Sequence, residues 1–268
     1  MNRLDVFLVT NGFVKSRERA KAVIKAGKVK VKGKVCTKPS AQVLDSDDIS
    51  CEPDELSFVG RGGLKLNKAL DSFCVDVTNA VCADIGASTG GFTQCLLEHG
   101  ARKVYAIDVG HGQLDSSLLS NPRVVNFEGV NARELKSDLF DETPGFASID
   151  VSFISLGLII KPVCDVLTES ARIIALIKPQ FEAGKNALNK NGVVKDKKVH
   201  MNVLENITSF FSSCDLILQN LIASPITGGD GNIEYLALLT KDRNAQKIQL
   251  DIKNIVTTAF STLNENRR

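Results

Sequence analysis

The strongest constraint on the fold is an alternation of short apolar segments with amphipathic helical segments from Val81 onward. This alternation predicts a mainly parallel β-sheet with helices on both faces and ligands bound beyond the carboxyl ends of the strands. We therefore expect a doubly wound α/β fold with seven strands, followed by a helix over residues 248–263. The predicted strands are Ala80–Ile85, Val104–Ile107, Val124–Phe127, Ala147–Val151, Ile173–Ile177, Leu216–Ile222 and Ile233–Leu239.

A glycine-rich turn follows the first predicted strand, in the segment DIGASTGGFT at residues 84–93. The chain leaves a buried strand there, turns through glycines and enters a helix. Asp108 ends the next strand about 20 residues later, where a carboxylate can accept hydrogen bonds from both hydroxyls of a ribose. This arrangement predicts a nucleoside cofactor, although a glycine-rich turn alone is also found in tight strand-to-helix connections.

The spacing of the glycines narrows the choice of cofactor. A dinucleotide site requires the pattern G-x-G-x-x-G so that a pyrophosphate approaches a helix N-terminus, and residues 86–91 lack it. The Walker lysine motif is also absent from the sequence, and acidic residues surround the turn. A cationic cofactor without phosphates fits better, and we predict S-adenosylmethionine. The predicted cofactor-binding residues are Asp84, Gly86, Ala87, Ser88, Gly90, Gly91, Phe92, Asp108, Val109, Asn131 and Asp150.

The positive charge of the chain is concentrated at its N-terminal end. Residues 1–40 contain eleven lysines and arginines against two acidic residues, a net charge of +9, whereas the remaining residues sum to −7. Apolar spacing predicts two short helices, and VKVKGKV at residues 29–35 predicts a β-hairpin with one buried and one lysine-rich face. The cations form either a solvated face or a stripe that follows the phosphates of RNA or DNA, and we favour the stripe.

This arrangement over about residues 2–50 resembles the RNA-binding module first seen in ribosomal protein S-four, in which a helix pair and a β-hairpin grip structured RNA. The small N-terminal domain is thus expected to be an α+β RNA-binding domain. The predicted RNA-binding residues, which include two cations of the second part, are Arg3, Arg17, Arg19, Lys21, Lys25, Lys30, Lys32, Lys34, Arg61 and Lys190.

An acidic, turn-rich stretch and the run Gly60-Arg61-Gly62-Gly63 separate the basic end from the rest of the chain. We predict an RNA-binding domain at residues 1–50, a linker at 51–63 and a larger domain at 64–268. The glycines are either a plain spacer or a means for the chain to approach bound RNA or cofactor closely, because glycine has no Cβ.

Four ionisable residues stand out in the larger domain: Lys65, Asp150, Lys178 and Glu234. Three of them lie at or beside the ends of predicted strands, in apolar surroundings where a charge is costly unless it is paired. They form either a structural ion-pair network or a catalytic set.

Five sequence blocks resemble the TlyA family, also called hemolysin A: RGGLKL at 61–66, DIGASTGGFT at 84–93, DVSFISL at 150–156, KPQFEAG at 178–184 and SPITGGDGNIEYL at 224–236. The resemblance implies an FtsJ-like, Rossmann-like class I methyltransferase that transfers a methyl group from S-adenosylmethionine to the ribose 2′-oxygen of a cytidine in ribosomal RNA. It also implies that Lys65, Asp150, Lys178 and Glu234 are the catalytic set, and that ribosomal RNA or ribosomal subunits are the partners.

The reaction that this resemblance implies is an in-line displacement, in which Lys178 either deprotonates the ribose hydroxyl or orients it as a charged ammonium. The lysine-containing stretch at residues 185–198 is expected at the same strand end. It is either a solvated loop or a loop that contacts phosphates.

Other function classes are disfavoured. Seven cysteines without C-x-x-C spacing indicate reduced thiols rather than a disulfide framework or a zinc site, and no metal is predicted. The start of the chain lacks a signal-peptide pattern, and no apolar run approaches the roughly 18 residues that span a bilayer. We expect a cytoplasmic protein without stable membrane association. A membrane-lytic protein and a catalytically silent rRNA-binding assembly factor remain the alternatives.

Overall fold

The structure is a computed structural model that describes residues 2–14, 17–51 and 58–265, without the side chains of residues 18, 19 and 263–265. The chain divides into two compact units, Met1–Ser57 and Phe58–Arg268. Residues 58–63, which we assigned to the linker, therefore group with the larger unit. The predicted linker residues 52–57 and the side chain of Arg19 lie outside the described residues.

The smaller unit contains the two expected helices and the expected hairpin. Buried apolar side chains from both helices, among them Leu4, Leu8 and Ile24, form its core. Three strands form one sheet in the order β3-β2-β5, and β1 pairs with β4. The elements are β1 Asn2–Arg3, α1 Leu4–Thr10, α2 Arg17–Lys25, β2 Val29–Val31, β3 Lys34–Val35, β4 Gln42–Val43 and β5 Ile49–Cys51.

The prediction of a single lysine-rich hairpin face is wrong. The hairpin turns through only two residues, Lys32 and Gly33, which both have positive φ angles, of 54° and 74°, as a type I′ turn requires. Lys30 therefore pairs with Val35, and Val31 with Lys34. Because directly paired residues share a face of a sheet, Lys30 and Lys34 lie on opposite faces.

The larger unit is built on a seven-stranded sheet, as the alternating pattern predicts. Its strands are β6 Val81–Ile85, β7 Lys103–Asp108, β8 Val124–Glu128, β9 Phe146–Ile149, β10 Arg172–Ile177, β11 Ile217–Ala223 and β12 Tyr235–Thr240. Its helices are α3 Gly62–Phe73, α4 Gly91–Glu98, α5 Ser116–Leu119, α6 Ile160–Asp165, α7 Pro179–Glu182, α8 Lys197–Ser213 and α9 Ile252–Glu265.

The strand order is β11-β12-β10-β9-β6-β7-β8. β8, β7, β6, β9 and β10 are parallel, and the chain runs outward in opposite directions from the boundary between β6 and β9. Open α/β sheets bind ligands at such a switch point, beyond the carboxyl ends of the two central strands. The glycine-rich turn follows β6, and Asp150 follows β9, so both lie at this edge.

β12 brings a further chain segment to the same edge. It runs antiparallel to β10, and Tyr235 pairs with Ile177. Its first residues therefore lie beside the last residues of β10, which places Glu234 near Lys178. We expected Glu234 inside the last strand, but β12 begins one residue later, at Tyr235.

Candidate active site

The glycine-rich turn packs tightly against two other segments of the larger unit. Gly86 has a φ of +87°, and a Cβ there would lie 2.5 Å from the carbonyl oxygen of Asp150. A Cβ at Gly91 would lie 2.9 Å from the carbonyl oxygen of Gly60. Side chains at these positions would separate the segments, because contacts below 3.0 Å require the structure to shift. The glycines that we assigned to the linker therefore approach the turn itself.

Asp108 is fixed at the end of β7 by backbone donors. Its Oδ2 accepts a hydrogen bond of 2.8 Å from the Ser88 amide, and its Oδ1 accepts one of 2.7 Å from the Gly110 amide. Each carboxylate oxygen retains a lone pair for a further donor. Val109 is 70% exposed, and the Asn131 side chain accepts a hydrogen bond from the Arg133 amide.

Asp84 lies in the interior of β6 and is fully buried. It accepts hydrogen bonds from the Thr93 hydroxyl of α4, at 2.7 Å, and from the Ser148 hydroxyl of β9, at 3.0 Å. Burial raises the pKa of Asp84 to about 7, and the two hydrogen bonds oppose this rise only in part. Asp84 thus joins the start of α4 to the central strands, and no surface of it remains for a ligand.

A cavity of about 190 Å³ joins the turn to two of the four ionisable residues. Most of the predicted cofactor-binding residues between Gly86 and Phe92 line it, together with Asp150 and Lys178. Gly90 does not line it, because it packs against Leu114 and Leu118. The cavity is lined by Gly60, Arg61, Gly62, Gly86, Ala87, Ser88, Thr89, Gly91, Phe92, Asp150, Ser152 and Lys178. Arg61 also donates a hydrogen bond to the carbonyl oxygen of Thr227.

Lys178 follows β10 and contacts the segment that follows β9. Its ammonium nitrogen lies 2.6 Å from Oδ1 of Asp150 and donates a hydrogen bond of 2.8 Å to the hydroxyl of Ser152. The contact with Asp150 is an ion pair without an aligned hydrogen bond. An ammonium group has three N–H donors, so two neighbours leave at least one for a ligand.

Lys65 and Glu234 form a second buried ion pair. The ammonium nitrogen of Lys65, on α3, lies 2.6 Å from Oε2 of Glu234. The other carboxylate oxygen accepts a hydrogen bond of 3.3 Å from the side-chain amide of Gln180. Because Gln180 follows Lys178 by two residues, it connects the two ion pairs. All four predicted catalytic residues therefore lie at one edge of the sheet.

The segments after β9 and β10 are also held together outside the ion pairs. The Glu182 carboxylate accepts hydrogen bonds from the Ser155 hydroxyl, at 2.6 Å, and from the Leu156 amide, at 2.8 Å. The rings of Phe153 and Phe181 lie 5.2 Å apart, and Phe153 is 91% exposed with a φ of +63°.

The sequence analysis did not identify these side chains as functional. They are Phe153, Ser155, Phe181 and Glu182, and they lie inside the blocks DVSFISL and KPQFEAG. Their position directly after two strands of a parallel sheet was the available signal. Phe153, Ser155 and Phe181 border a groove of about 700 Å³, which is lined by Arg133, Phe153, Ile154, Ser155, Leu158, Gln180, Phe181, Gly184, Lys185, Leu188, Gly192 and Asp230.

Two predicted RNA-binding arginines of the smaller unit share one carboxylate. Arg3 donates two hydrogen bonds to Asp5, of 2.9 and 3.0 Å, and Arg17 donates one of 3.2 Å. Asp5 is fully buried, and its hydrogen bonds with Arg3 lower its pKa to about 2. The guanidinium groups remain about half exposed, at 45% and 52%. Lys32 pairs with Asp47, and Lys25, Lys30 and Lys34 are exposed.

The loop that contains Lys190 is fixed to the segment that carries Glu234. Asn232 accepts a hydrogen bond from the Val194 amide and donates one to the Gly192 carbonyl oxygen, both of 3.0 Å. The buried ring of His200 lies 3.0 Å from the Val194 carbonyl oxygen. Lys190 itself is exposed.

The strand order, the glycine-rich turn at the switch point and the paired lysines and carboxylates define a Rossmann-like methyltransferase class. The FtsJ-like methyltransferase model matches residues 58–241, and the S4 domain model matches residues 2–49. The chain belongs to the FtsJ-like methyltransferases and, among them, to the TlyA or hemolysin A family.

Relatives of similar length support this assignment. Hemolysin A of Brachyspira hyodysenteriae is 42% identical, over 88% of this chain and 98% of its own. The 16S/23S rRNA (cytidine-2′-O)-methyltransferase TlyA of Mycobacterium tuberculosis is 38% identical over 97% of each chain. A solved Streptococcus thermophilus structure with 40% identity has a TM-score of 0.79 and covers 99% of this chain and 98% of that chain.

Among the residues that the structure describes, no helix has both the length and the apolar character needed to cross a membrane.

Proposed function

We propose that this protein transfers a methyl group from S-adenosylmethionine to the ribose 2′-oxygen of a cytidine in ribosomal RNA. The observation that carries the proposal is the convergence of the pairs Lys178–Asp150 and Lys65–Glu234 beside a cavity that begins at the glycine-rich turn. The relatives that are named rRNA (cytidine-2′-O)-methyltransferases support the choice of substrate.

The residues around the turn fit the cofactor. Gly86 and Gly91 leave space that a Cβ would fill, and the Asp108 carboxylate retains acceptor capacity for ribose hydroxyls. When bound, S-adenosylmethionine supplies an electrophilic methyl group on a positively charged sulfur. The Asp150 carboxylate, 19% exposed at the cavity, would favour a positive charge there. Val109 and Asn131 remain proposed cofactor contacts at the ends of β7 and β8, whereas Asp84 would act through Thr93 and Ser148.

Lys178 would act directly on the ribose hydroxyl. Its ammonium group is held by Asp150 and Ser152, and the remaining N–H can donate to the 2′-oxygen and direct a lone pair toward the methyl group. In this mode the hydroxyl proton passes to water as the oxygen accepts the methyl group and the sulfur leaves as a neutral thioether. In the alternative, the neutral amine accepts the hydroxyl proton. Both modes depend on the same geometry, and they make different predictions for an arginine at this position.

Glu234 and Lys65 are buried and would support this centre from behind, through the hydrogen bond that Gln180 donates to Glu234. Phe153 and Phe181 border the groove beside Lys178 and offer apolar faces to an unstacked base. The exposed Lys185 and Lys190 lie on the loop that borders the groove and would contact phosphates. In the smaller unit, Arg3, Arg17, Lys25, Lys30 and Lys34 would bind the folded RNA, and an rRNA substrate implies a cytoplasmic reaction.

The test is transfer of a tritiated methyl group to purified small and large ribosomal subunits, followed by nucleoside analysis. The wild-type protein should form 2′-O-methylcytidine. Lys178→Met should abolish transfer, while calorimetry shows unchanged cofactor affinity. Lys178→Arg should retain activity if the residue orients the hydroxyl, and should lose it if the residue is the base, because arginine stays protonated.

The matched control is Lys161→Met, which changes an exposed lysine on α6. This variant should transfer methyl groups at the wild-type rate. If the wild-type protein binds RNA but transfers no methyl group, the result would favour the catalytically silent assembly factor instead. Release of a trapped dye from liposomes by a protein that lacks Asp150 would favour the membrane-lytic alternative.

A further inference from the structure

Two buried side-chain oxygens at the candidate site have no hydrogen-bond donor. Within residues 2–14, 17–51 and 58–265, the buried side-chain polar atoms without a hydrogen bond are Oδ1 of Asp150 and Oε1 of Gln180. Both residues adjoin Lys178. Native proteins leave few buried polar atoms unsatisfied, because each one loses its hydrogen bonds to water without gaining a partner in the protein. Oδ1 of Asp150 has an ionic partner in Lys178. Oε1 of Gln180 is therefore the buried acceptor with neither a hydrogen-bond donor nor an ionic partner.

The orientation of the Gln180 amide follows from its neighbour. Oε1 of Glu234 accepts from the Gln180 amide nitrogen at 3.3 Å, and the other oxygen of Glu234 is paired with Lys65. A carboxylate can only accept, so the amide must turn its nitrogen toward Glu234. The carbonyl oxygen of Gln180 is thereby turned away from Glu234 and held as an acceptor.

Gln180 also lines the groove that Phe153 and Phe181 border. The ammonium nitrogen of Lys178 lies 5.9 Å from the centre of the Phe181 ring at this groove, and the proposed function places the ribose of the acceptor nucleotide at Lys178. A base attached to that ribose would enter the groove, and a base edge offers N–H donors of the kind that the Gln180 carbonyl lacks. Cytosine presents an exocyclic amino group at the position where uracil presents a carbonyl oxygen.

We propose that Gln180 is a specificity-determining residue whose carbonyl oxygen accepts a hydrogen bond from the exocyclic amino group of the acceptor base. With uridine, the base carbonyl oxygen and the Gln180 carbonyl oxygen would face each other, and neither can donate a hydrogen bond. Because the Gln180 oxygen is buried, water cannot supply the missing donor. The lysine and carboxylate behind Gln180 make this selection rigid, because rotating the amide would turn its oxygen toward Glu234. The inference rests on the proposed methyl transfer and adds to it the source of base selection.

The test compares ribosomal subunits that carry cytidine or, through a change in the rRNA gene, uridine at the nucleotide that the wild-type protein methylates. The wild-type protein should favour cytidine in kcat/KM by about 5- to 150-fold, the range of one hydrogen-bonded base contact. Gln180→Met, which keeps the length of the side chain without polar atoms, should bring this ratio close to one. Gln180→Asn withdraws the amide by one methylene and should also lower the ratio.

The control is Gln249→Met, which makes the same change at an exposed position before α9 and should keep the wild-type ratio. If Gln180 only supported Glu234, both acceptors would lose kcat equally, and an unchanged ratio in Gln180→Met would overturn the inference. If the Gln180 carbonyl oxygen bound a neighbouring ribose instead of the base, Gln180→Met would also keep the wild-type ratio. That result would contradict base selection by Gln180. Absence of transfer by the wild-type protein would refute the proposed function itself, which separates the two failures.

Discussion

Lys65 and Glu234 are 169 positions apart in the chain, yet the ammonium nitrogen of Lys65 lies 2.6 Å from a carboxylate oxygen of Glu234. Both side chains are nearly inaccessible to solvent, at 9% and 2% exposure. A buried pair of this kind adds little to stability in total, because the cost of desolvating both charges offsets their attraction. Replacing only one partner of the pair has a different consequence.

Lys65→Met should destabilise the larger unit by about 3–5 kcal/mol, because it leaves the Glu234 carboxylate buried without a counter-charge. The double variant Lys65→Met/Glu234→Met should recover most of this loss but not methyl transfer. Urea unfolding and the tritium assay measure the two effects separately. Lys161→Met, in an exposed pair on α6, should change the unfolding free energy by less than about 1 kcal/mol. Equal instability of the single and double variants would contradict this account of the pair.

The sheet and the candidate site were predictable to different extents. The alternation after Val81 predicted the parallel strands, because strands buried on both faces are continuously apolar. Charged residues at strand ends then identified Asp150 and Lys178, since parallel strands end at one edge of the sheet. The position of Glu234 depends on β12 running antiparallel to β10, a long-range pairing that apolar composition does not encode.

Other features depended on register and on local polar partners. The two-residue turn at Lys32 and Gly33 reverses the expected face of Lys34, because a change of one residue in register exchanges the two faces of a strand. The sequence assigns Asp84 to the cofactor contacts, because it adjoins the glycine-rich turn. Its neighbours Thr93 and Ser148 come from other elements, so its burial could be recognised only in three dimensions.

The buried Asp84 should make stability depend on pH. Its pKa is raised to about 7 by burial, whereas in the unfolded chain an aspartate has a pKa of about 3.9. Between these values the folded state holds a proton that the unfolded state has released, so the unfolding free energy should fall as pH rises from about 4 to about 7. The difference between the wild type and Asp84→Asn should change across this range by on the order of 3 kcal/mol. A constant difference in urea unfolding at pH 5 and pH 7.5 would contradict it.

His200 should have the opposite dependence. Burial lowers the pKa of His200, whose ring nitrogens lie 2.9 Å from the Tyr235 hydroxyl and 3.0 Å from the Val194 carbonyl oxygen. The neutral ring can donate to Val194 and accept from Tyr235. Below the unfolded value of about 6.5, the unfolded chain gains a proton that the folded state resists, so stability should be lost as pH falls. The melting temperature of the wild type minus that of His200→Gln should be smaller at pH 5.5 than at pH 7.5, and an equal difference at the two pH values would contradict this role of His200.

The Asp5 carboxylate should matter for RNA binding through the two arginines it holds. Arg17→Gln removes one half-exposed guanidinium but leaves the hydrogen bonds between Arg3 and Asp5 intact. If Arg17 contacts a phosphate, rRNA affinity should fall and the slope of log K against log salt should become shallower by about 0.7–0.9, the contribution of one phosphate contact. Filter binding over a range of salt concentrations measures both quantities.

The control for this prediction is Arg243→Gln, which removes an equally cationic side chain paired with Asp215 on the surface of the larger unit. A shallower slope in both variants would indicate a general effect of net charge rather than a contact at Arg17. Asp5→Asn extends the test, because it leaves both guanidinium groups present but removes the charge that holds them together. It should weaken binding without changing the number of positive charges, since fixed groups lose less conformational entropy when they bind. Unchanged affinity in Asp5→Asn, with the smaller unit folded, would show that Arg3 and Arg17 bind RNA without being held in place.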